Sequence, residues 1–395
     1  MKGATVERPT TEAMLILNVT KWDADGEEPG FWLLTRGGVI EHTGTGNSWV
    51  EWGSGVTTID GTGAYLTPGF IDLHFHGGGG HSNEDGPEAI KAAVATHCEH
   101  GTTRAVVSLV ANPLETLLDS VASIASLADE DQSILGSHLE GPFLAADRRG
   151  AHHPAHLIDP TAANVQDILR AARGTLRQIT IDPGRTDALA AISTFADAGV
   201  TVAIGHTSAD YDLAVAAFRA GARLLTHTFN AMPGIHHREP GPVVAALDTP
   251  GVFFELILDG THVHPRVAAH LMGAAPHRVA LITDAMAASG SADGAYVLGT
   301  VGVEVSQGTA TLAGTSVLAG STLTLDKALR MGLKAGIDRV AMIEALTLTP
   351  ARILGLDAQL GLLKPGYLAD LVLLGSDLTV LEVFVGGPVR SAATA

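Results

Sequence analysis

His74 and His76 stand two apart in the run Gly69-Phe70-Ile71-Asp72-Leu73-His74-Phe75-His76. On a strand, that spacing points both imidazoles to one face, and two imidazoles on one face are half of a metal site. Four more residues of ligand type each close an apolar run: Glu140, His206, His227 and Asp284. One such histidine alone is more often a hydrogen-bonded core residue, and a lone aspartate is more often a helix cap. Six of them at successive strand ends describe a site. His74 and His76 would hold one divalent ion, while His206 and His227 complete a second position with Glu140 as the bridge. A bound metal lowers the pKa of its water to about 7. Asp284, in Thr283-Asp284-Ala285, would take the proton as that water attacks an amide and pass it to the leaving amine.

Glu140 lies in His138-Leu139-Glu140-Gly141-Pro142-Phe143. A carboxylate after a buried apolar run must be paired or metal-bound, and Gly-Pro after it suits a loop better than a helix start. His138 shares its face one layer deeper and reads as a supporting histidine. Histidine and carboxylate ligands suit zinc first, with iron, manganese and cobalt also served, at one or two ions per subunit. Arg238, in Arg238-Glu239-Pro240-Gly241, has a fork that suits phosphate, against the plain alternative of a surface ion pair. Asn230-Ala231-Met232 follows His227. His152, in Gly150-Ala151-His152, and His262, in Asp259-Gly260-Thr261-His262, are polar loop residues near the same mouth, or merely solvated ones.

Such residues converge only if the strand ends do. Eight strands are expected after Pro68, over 69–74, 103–109, 134–140, 177–182, 201–204, 223–226, 252–258 and 278–283. Helices are expected over 87–100, 113–127, 161–172, 186–198, 209–220, 265–274 and 321–335. Gly101, Gly199 and Gly221 each fall between a helix and a strand, where a left-handed C-terminal cap belongs. Near-continuous apolar strands such as 105–110 suit a parallel sheet buried on both faces. The glycines Gly77 to Gly80 follow histidines rather than forming a dinucleotide-binding GxGxxG. Eight βα units in one run close into a barrel whose strand ends form one mouth.

Before Pro68 only short strands appear, over 13–19, 31–34 and 38–42. A small β insertion falls at 296–305 and 309–312. Residues 344–354 are helical with Pro350 at a kink, and strands return at 371–374 and 380–385. The two end regions are expected to pair. The fold class is therefore α/β: a TIM-like (β/α)8 barrel over 67–357, with an insertion near 294–315 and a small β-sandwich domain built from both chain termini, 1–66 plus 358–395.

The 395 residues are 46% hydrophobic and 17% charged, enough for a large core. Basic side chains number 24 against 42 acidic ones, a net charge of −18, which argues against a nucleic-acid partner. It also means that an anionic substrate needs local cations. The single cysteine, Cys98, excludes an intrachain disulfide and reads as a buried inert thiol. Met1–Thr10 lacks the apolar core of a secretory signal, and no uncharged apolar run nears the roughly 20 residues of a membrane helix. A cytoplasmic protein without a membrane partner is expected.

The stretch Pro68 to Gly77 resembles the opening strand of the amidohydrolase superfamily, and Leu363-Lys364-Pro365-Gly366-Tyr367-Leu368-Ala369-Asp370-Leu371-Val372 resembles its closing sandwich. A narrower resemblance, to the N-acetylglucosamine-6-phosphate deacetylase family, rests on His138–Phe143, Gly150–His152, Gly205-His206-Thr207, His227 with Phe229–Met232, Arg238–Gly241, Asp259–His262, Thr283–Met286 and Leu318–Thr324. These marks occur in the family's order along nearly the whole chain. The resemblance implies that Glu140, His206 and His227 hold a common metal, that His74 and His76 supply a second, and that Asp284 is the catalytic acid/base. It implies sugar and phosphate contacts from Ala151, His152, Asn230, Ala231, Arg238, His262, Leu318, Ala319 and Gly320. It further implies a phosphorylated amino sugar as substrate and a homodimer with some phosphate contacts crossing the interface. Two departures stand out: Thr180-Ile181-Asp182-Pro183-Gly184-Arg185 where many members have Thr-Leu-Ala-Pro-Glu, and Leu325 where Met is frequent. The alternatives are deacetylation of the galactosamine isomer, action on another N-acyl or cyclic amide substrate, and a non-enzymatic relict barrel.

Overall fold

The computed structural model describes residues 5–7 and 13–387. Most of Met1–Thr10 and the end of the expected sandwich range, 388–395, lie outside the described residues. The barrel strands are β1 (Phe70–Phe75), β2 (Thr102–Val110), β3 (Ile134–Glu140), β4 (Leu176–Ile181), β5 (Thr201–Ile204), β6 (Leu224–Leu225), β7 (Phe253–Ile257) and β8 (Val279–Ile282). All seven neighbouring pairs are parallel, in sequence order. The first and last strands meet through a parallel bridge between Phe75 and Ala285. Two bonds flank it, from the Asp284 amide to His74 O (2.8 Å) and from the His76 amide to Ala285 O (2.7 Å). Every residue of β1, β2 and β3 is buried, as two covered faces require.

Helices cover the outside. Pro87–Cys98 starts with proline at its first turn, Leu114–Glu130 runs three residues beyond expectation, and Gly101, Gly199 and Gly221 all have positive φ at the helix-to-strand junctions. The helix Gly241–Asp248 went unforeseen, because a Gly-Pro start and eight residues give little periodicity. The stretch 344–354 is two helices, Arg339–Leu346 and Leu348–Ile353, broken at Thr347. Pro350 has no N–H to offer Leu346 O four residues back, so the ladder cannot run through. Strand β6 is only two residues long, because the chain turns away after it at His227.

The ends of the chain pair as expected. One eight-stranded sheet takes the order Thr5–Glu7, Val380–Phe384, Leu371–Leu374, Tyr65–Pro68, Met14–Asp23, Gly26–Arg36, Val39–Thr45, with Thr57–Asp60 beside Met14–Asp23. Period-two side chains split it into two faces. Ile16, Leu33, Leu66, Leu371 and Leu373 lie in one apolar cluster, and Leu15, Leu17, Trp32 and Leu34 lie in another. Leu371–Leu374 pairs antiparallel with Tyr65–Pro68, which leads straight into β1. Arg104 of β2 ties this sheet to the barrel: fully buried, it gives Nε to Asp370 Oδ2 (2.6 Å) and Nη2 to Asp370 Oδ1 (2.9 Å). The insertion is an antiparallel meander, Gly294–Leu298, Val301–Ser306 and Thr309–Leu312, packed by Leu298, Val303 and Val305 against Val110 and Met286 at the barrel mouth. Among the described residues no helix is long and apolar enough to cross a membrane. Cys98 is buried in the main core.

His97, on the first helix, faces Phe75 at 5.0 Å and places Nε2 2.9 Å from Gly77 O. Burial pushes its pKa down from 6.5 to about 4, against the pull of that carbonyl. The unfolded chain therefore binds this proton in a pH range where the folded protein does not. Stability from this group is complete above pH 6.5 and falls as pH drops toward 4, by about 3 kcal/mol over the window. Unfolding free energies of the native protein and His97→Gln, taken from urea titrations between pH 4 and 7, should diverge by that margin. Parallel curves would contradict it.

Candidate metal centre

Each residue of the expected site is delivered by the end of a barrel strand. His74 lies on β1 with His76 just beyond it, Glu140 ends β3, and His206, His227 and Asp284 follow β5, β6 and β8 by two residues. The last three take positive φ, 46°, 27° and 48°. Non-glycine residues reach that region only when their surroundings impose it, and such positions cluster at functional sites. Here the turn rotates each side chain from the barrel wall toward the axis. Gly205 makes room for it: a Cβ there would come within 2.6 Å of Thr226.

The five ligand-type groups and Asp284 form one cluster around Glu140. Glu140 Oε1 lies 3.0 Å from His206 Nε2 and 2.9 Å from His227 Nε2, which are themselves 3.1 Å apart. Glu140 Oε2 lies 3.1 Å from His76 Nε2, and His74 Nε2 is 3.0 Å from His76 Nε2. Asp284 Oδ1 sits 3.5 Å from His74 Nε2 and 3.4 Å from His76 Nε2. All six residues are buried.

The outer nitrogens show which ring atoms carry protons. His206 Nδ1 is 2.8 Å from Arg148 O and His74 Nδ1 is 3.2 Å from a Glu255 carboxylate oxygen. Both partners only accept, so Nδ1 carries a hydrogen, and in the neutral ring each Nε2 presents a lone pair inward. Lone pairs aimed at one another and at carboxylate oxygens repel unless positive charge lies between them. Buried as these groups are, they fit a divalent cation, and the donor set, imidazole nitrogen and carboxylate oxygen, is that of zinc, iron, manganese or cobalt sites. Burial alone would lower the pKa of His74, but the field of Glu140 and Asp284 lifts it well above the usual range. Burial alone would likewise raise Glu140, yet His74 and His206 hold it well below. A field that traps protons on imidazoles attracts a metal ion for the same reason.

His152 joins this cluster, its Nε2 3.3 Å from Glu140 Oε2. Its Nδ1 accepts the Ala111 amide at 3.1 Å, so its proton sits on Nε2 and is donated toward Glu140. Burial pushes its pKa down to about 4 and keeps it neutral. This histidine is thus built to donate a hydrogen bond rather than to ligate through Nε2. His138 lies one layer below, between Ser108 Oγ and Thr180 Oγ1, both at 2.9 Å, and its ring meets His74 edge-on at 4.5 Å.

Above the cluster opens a cavity of about 350 Å³. Ala151, His152, Asn230, Ala231, His262, Leu318 and Gly320 line it together with His76, Glu140, His206, His227 and Asp284. Ala319 is fully buried behind this wall, and Arg238 is exposed outside it, with Nη1 2.8 Å from His237 Nε2. His262 is held by Asp259, Nδ1 to Oδ2 at 2.7 Å; burial would lower its pKa, but that carboxylate raises it. Sequence reasoning passed over Arg148, the sole arginine or lysine in the lining, whose Nε bonds Ser208 Oγ at 3.0 Å. It passed over the supporting carboxylates too. Asp72, raised to about 7 by burial despite the Thr283 hydroxyl 2.6 Å away, ties β1 to β8, and Glu255 touches His74. An acid inside an apolar strand run was the available signal. The departure at Asp182 has a visible part: Asp182 Oδ1 accepts Thr207 Oγ1 at 2.6 Å, bracing the turn that carries His206, and Arg185 pairs outward with Asp159 at 2.9 Å.

The model of the amidohydrolase family matches residues 65–390. The chain is 36% identical to N-acetylgalactosamine-6-phosphate deacetylase of Escherichia coli O157:H7, over 82% of this chain and 88% of that protein. It is equally identical to N-acetylglucosamine-6-phosphate deacetylase of Homo sapiens, over 82% and 83%. Among solved structures, a mutant N-acetyl-D-glucosamine-6-phosphate deacetylase from Mycobacterium smegmatis, in complex with N-acetyl-D-glucosamine-6-phosphate, superposes with a TM-score of 0.90 at 39% identity, covering 95% of this chain and 99% of that one.

Proposed function

The chain belongs to the amidohydrolase family, and from that premise we propose that it hydrolyses the N-acetyl group of N-acetylglucosamine 6-phosphate to glucosamine 6-phosphate and acetate. The observation that carries this is a buried Glu140-centred histidine cluster with Asp284 at its edge, opening into a cavity of about 350 Å³ lined by His152, Asn230 and His262. Glu140, His206 and His227 would hold one divalent ion, zinc being the first choice, and His74 with His76 would hold a second. When bound, the metal supplies positive charge that acidifies a water and polarises the acetyl carbonyl.

The chain's own residues do the rest. Asp284 takes a proton from the attacking water as the new C–O bond forms at the acetyl carbon. It then delivers that proton to the sugar nitrogen as the C–N bond breaks, which gives acetate and a free amine. His152, neutral and with its proton on Nε2, is placed to donate a hydrogen bond to a carbonyl or hydroxyl above Glu140. Ala151, Asn230, Ala231, Leu318 and Gly320 shape the sugar pocket, with Ala319 packed behind it. His262, held by Asp259, and Arg148 offer positive charge to a phosphate in this acidic chain. Arg238, exposed on the Pro233–Glu239 loop with Ile235, would reach a phosphate only across a homodimer interface. The protein would work in the cytoplasm, where such sugar phosphates are found.

The identity to the Escherichia coli relative keeps the galactosamine isomer as a second reading. Exhaustive dialysis against a strong chelator should abolish acetate release, and adding zinc, manganese, cobalt or ferrous ion back should restore it. Undiminished activity in protein shown to be metal-free would refute the mechanism.

A further inference from the structure

Glu255 lies in the middle of β7 and is fully buried. Its neighbours are Phe253, Phe254, Leu256 and Ile257, so the strand gives it no polar company. Its partners come from three other strands or strand ends. Oε1 accepts Gln178 Nε2 of β4 at 2.6 Å, while Oε2 lies 3.2 Å from His74 Nδ1 of β1 and accepts the His227 amide at 3.3 Å. A buried carboxylate costs several kcal/mol unless charge of opposite sign compensates it. Among the described residues no lysine or arginine pairs with Glu255. Its one side-chain partner able to pass positive charge to it is His74, whose far nitrogen points at His76 and Asp284.

We propose that Glu255 is a positioning residue for the His74/His76 cation site, fixing the His74 ring with Nε2 inward and lending it negative charge so that a second metal ion is held. The inference rests on the metal-holding reading above. The geometry is specific to this one imidazole. His76 Nδ1 and His227 Nδ1 are buried without a side-chain or backbone partner, and His206 Nδ1 is fixed by a neutral carbonyl. Of His74, His76, His206 and His227, only His74 has its outer ring nitrogen backed by a carboxylate. A carboxylate behind a ligating imidazole raises its basicity and locks its orientation, and loss of such a partner typically weakens metal binding about ten- to a hundredfold.

The test counts metal ions rather than turnover. Native protein, Glu255→Gln and Glu255→Leu are stripped with chelator and titrated with zinc against a chromophoric competitor. The expected result is two equivalents for the native protein. In Glu255→Gln the first equivalent should stay within about threefold of native while the second weakens by about tenfold or more, and in Glu255→Leu the second should weaken further. Glutamine keeps the shape and an acceptor for His74 Nδ1, so its partial rescue separates charge from packing and stands alone should the leucine variant fail to fold. The inference is overturned if native protein takes a single equivalent, if Glu255→Gln weakens both equivalents alike, or if both variants keep two native-like equivalents. Native protein that takes up no metal would overturn the metal-holding reading with it.

Discussion

Replacing Asp284 by asparagine is expected to lower kcat at least about a thousandfold while the purified protein keeps metal. Asn has the same shape and retains an oxygen at the place of Oδ1, 3.4–3.5 Å from His74 and His76 Nε2. It cannot take a proton from water or return one to the leaving amine. The Glu140, His206 and His227 contacts do not involve Asp284, so that group of ligands is intact in the variant. KM should change little, because substrate binding relies on other parts of the cavity wall. Single-turnover acetate release and metal analysis of the same sample decide the matter: native-like turnover would remove Asp284 from the mechanism, and loss of metal would make it a ligand first.

Arg104→Leu should cost about 3–5 kcal/mol of stability, because it leaves Asp370 as a buried anion without its partner. Arg104 is fully buried and Asp370 nearly so. Beyond the paired bonds to the carboxylate, Arg104 donates to Gly387 O at 2.8 Å and to Gln132 O. It thereby clamps a barrel strand to the terminal sheet. Arg104→Leu with Asp370→Asn should recover much of the loss, since no uncompensated charge then remains. Guanidinium-chloride unfolding of the single and double variants measures this directly. A double variant no more stable than Arg104→Leu would show that packing, and not charge, carries the contact.

How far the sequence could be read differed by feature. The barrel was legible because each strand is an apolar run buried on both faces, and because glycines at 101, 199 and 221 punctuate helix from strand. The convergence of the candidate ligands was legible because their residue types fall at strand ends, where a barrel must gather them. What stayed hidden depends on contacts between distant strands. Glu255 looks like any acid in an apolar run until β1 and β4 lay His74 and Gln178 against it. Asp370 stood within a recognisable tail, yet nothing in that tail points to Arg104, 266 residues earlier. Arg148 was missed because arginines in loops are common, and only the path of 146–150 over the barrel mouth brings it to the cavity. The expected phosphate ligand Arg238 shows the reverse limit. Residue type suggested it, but its own chain leaves it exposed and outside the cavity.

The most direct test measures acetate released from N-acetylglucosamine 6-phosphate by metal-replete protein, beside the unphosphorylated sugar and N-acetylgalactosamine 6-phosphate. The account predicts rapid release from the first and at least about a hundredfold lower kcat/KM without the phosphate, the worth of two lost charge-assisted hydrogen bonds. Preference for the galactosamine isomer would keep the chemistry and change the sugar. No acetate from any of the three would contradict the central claim.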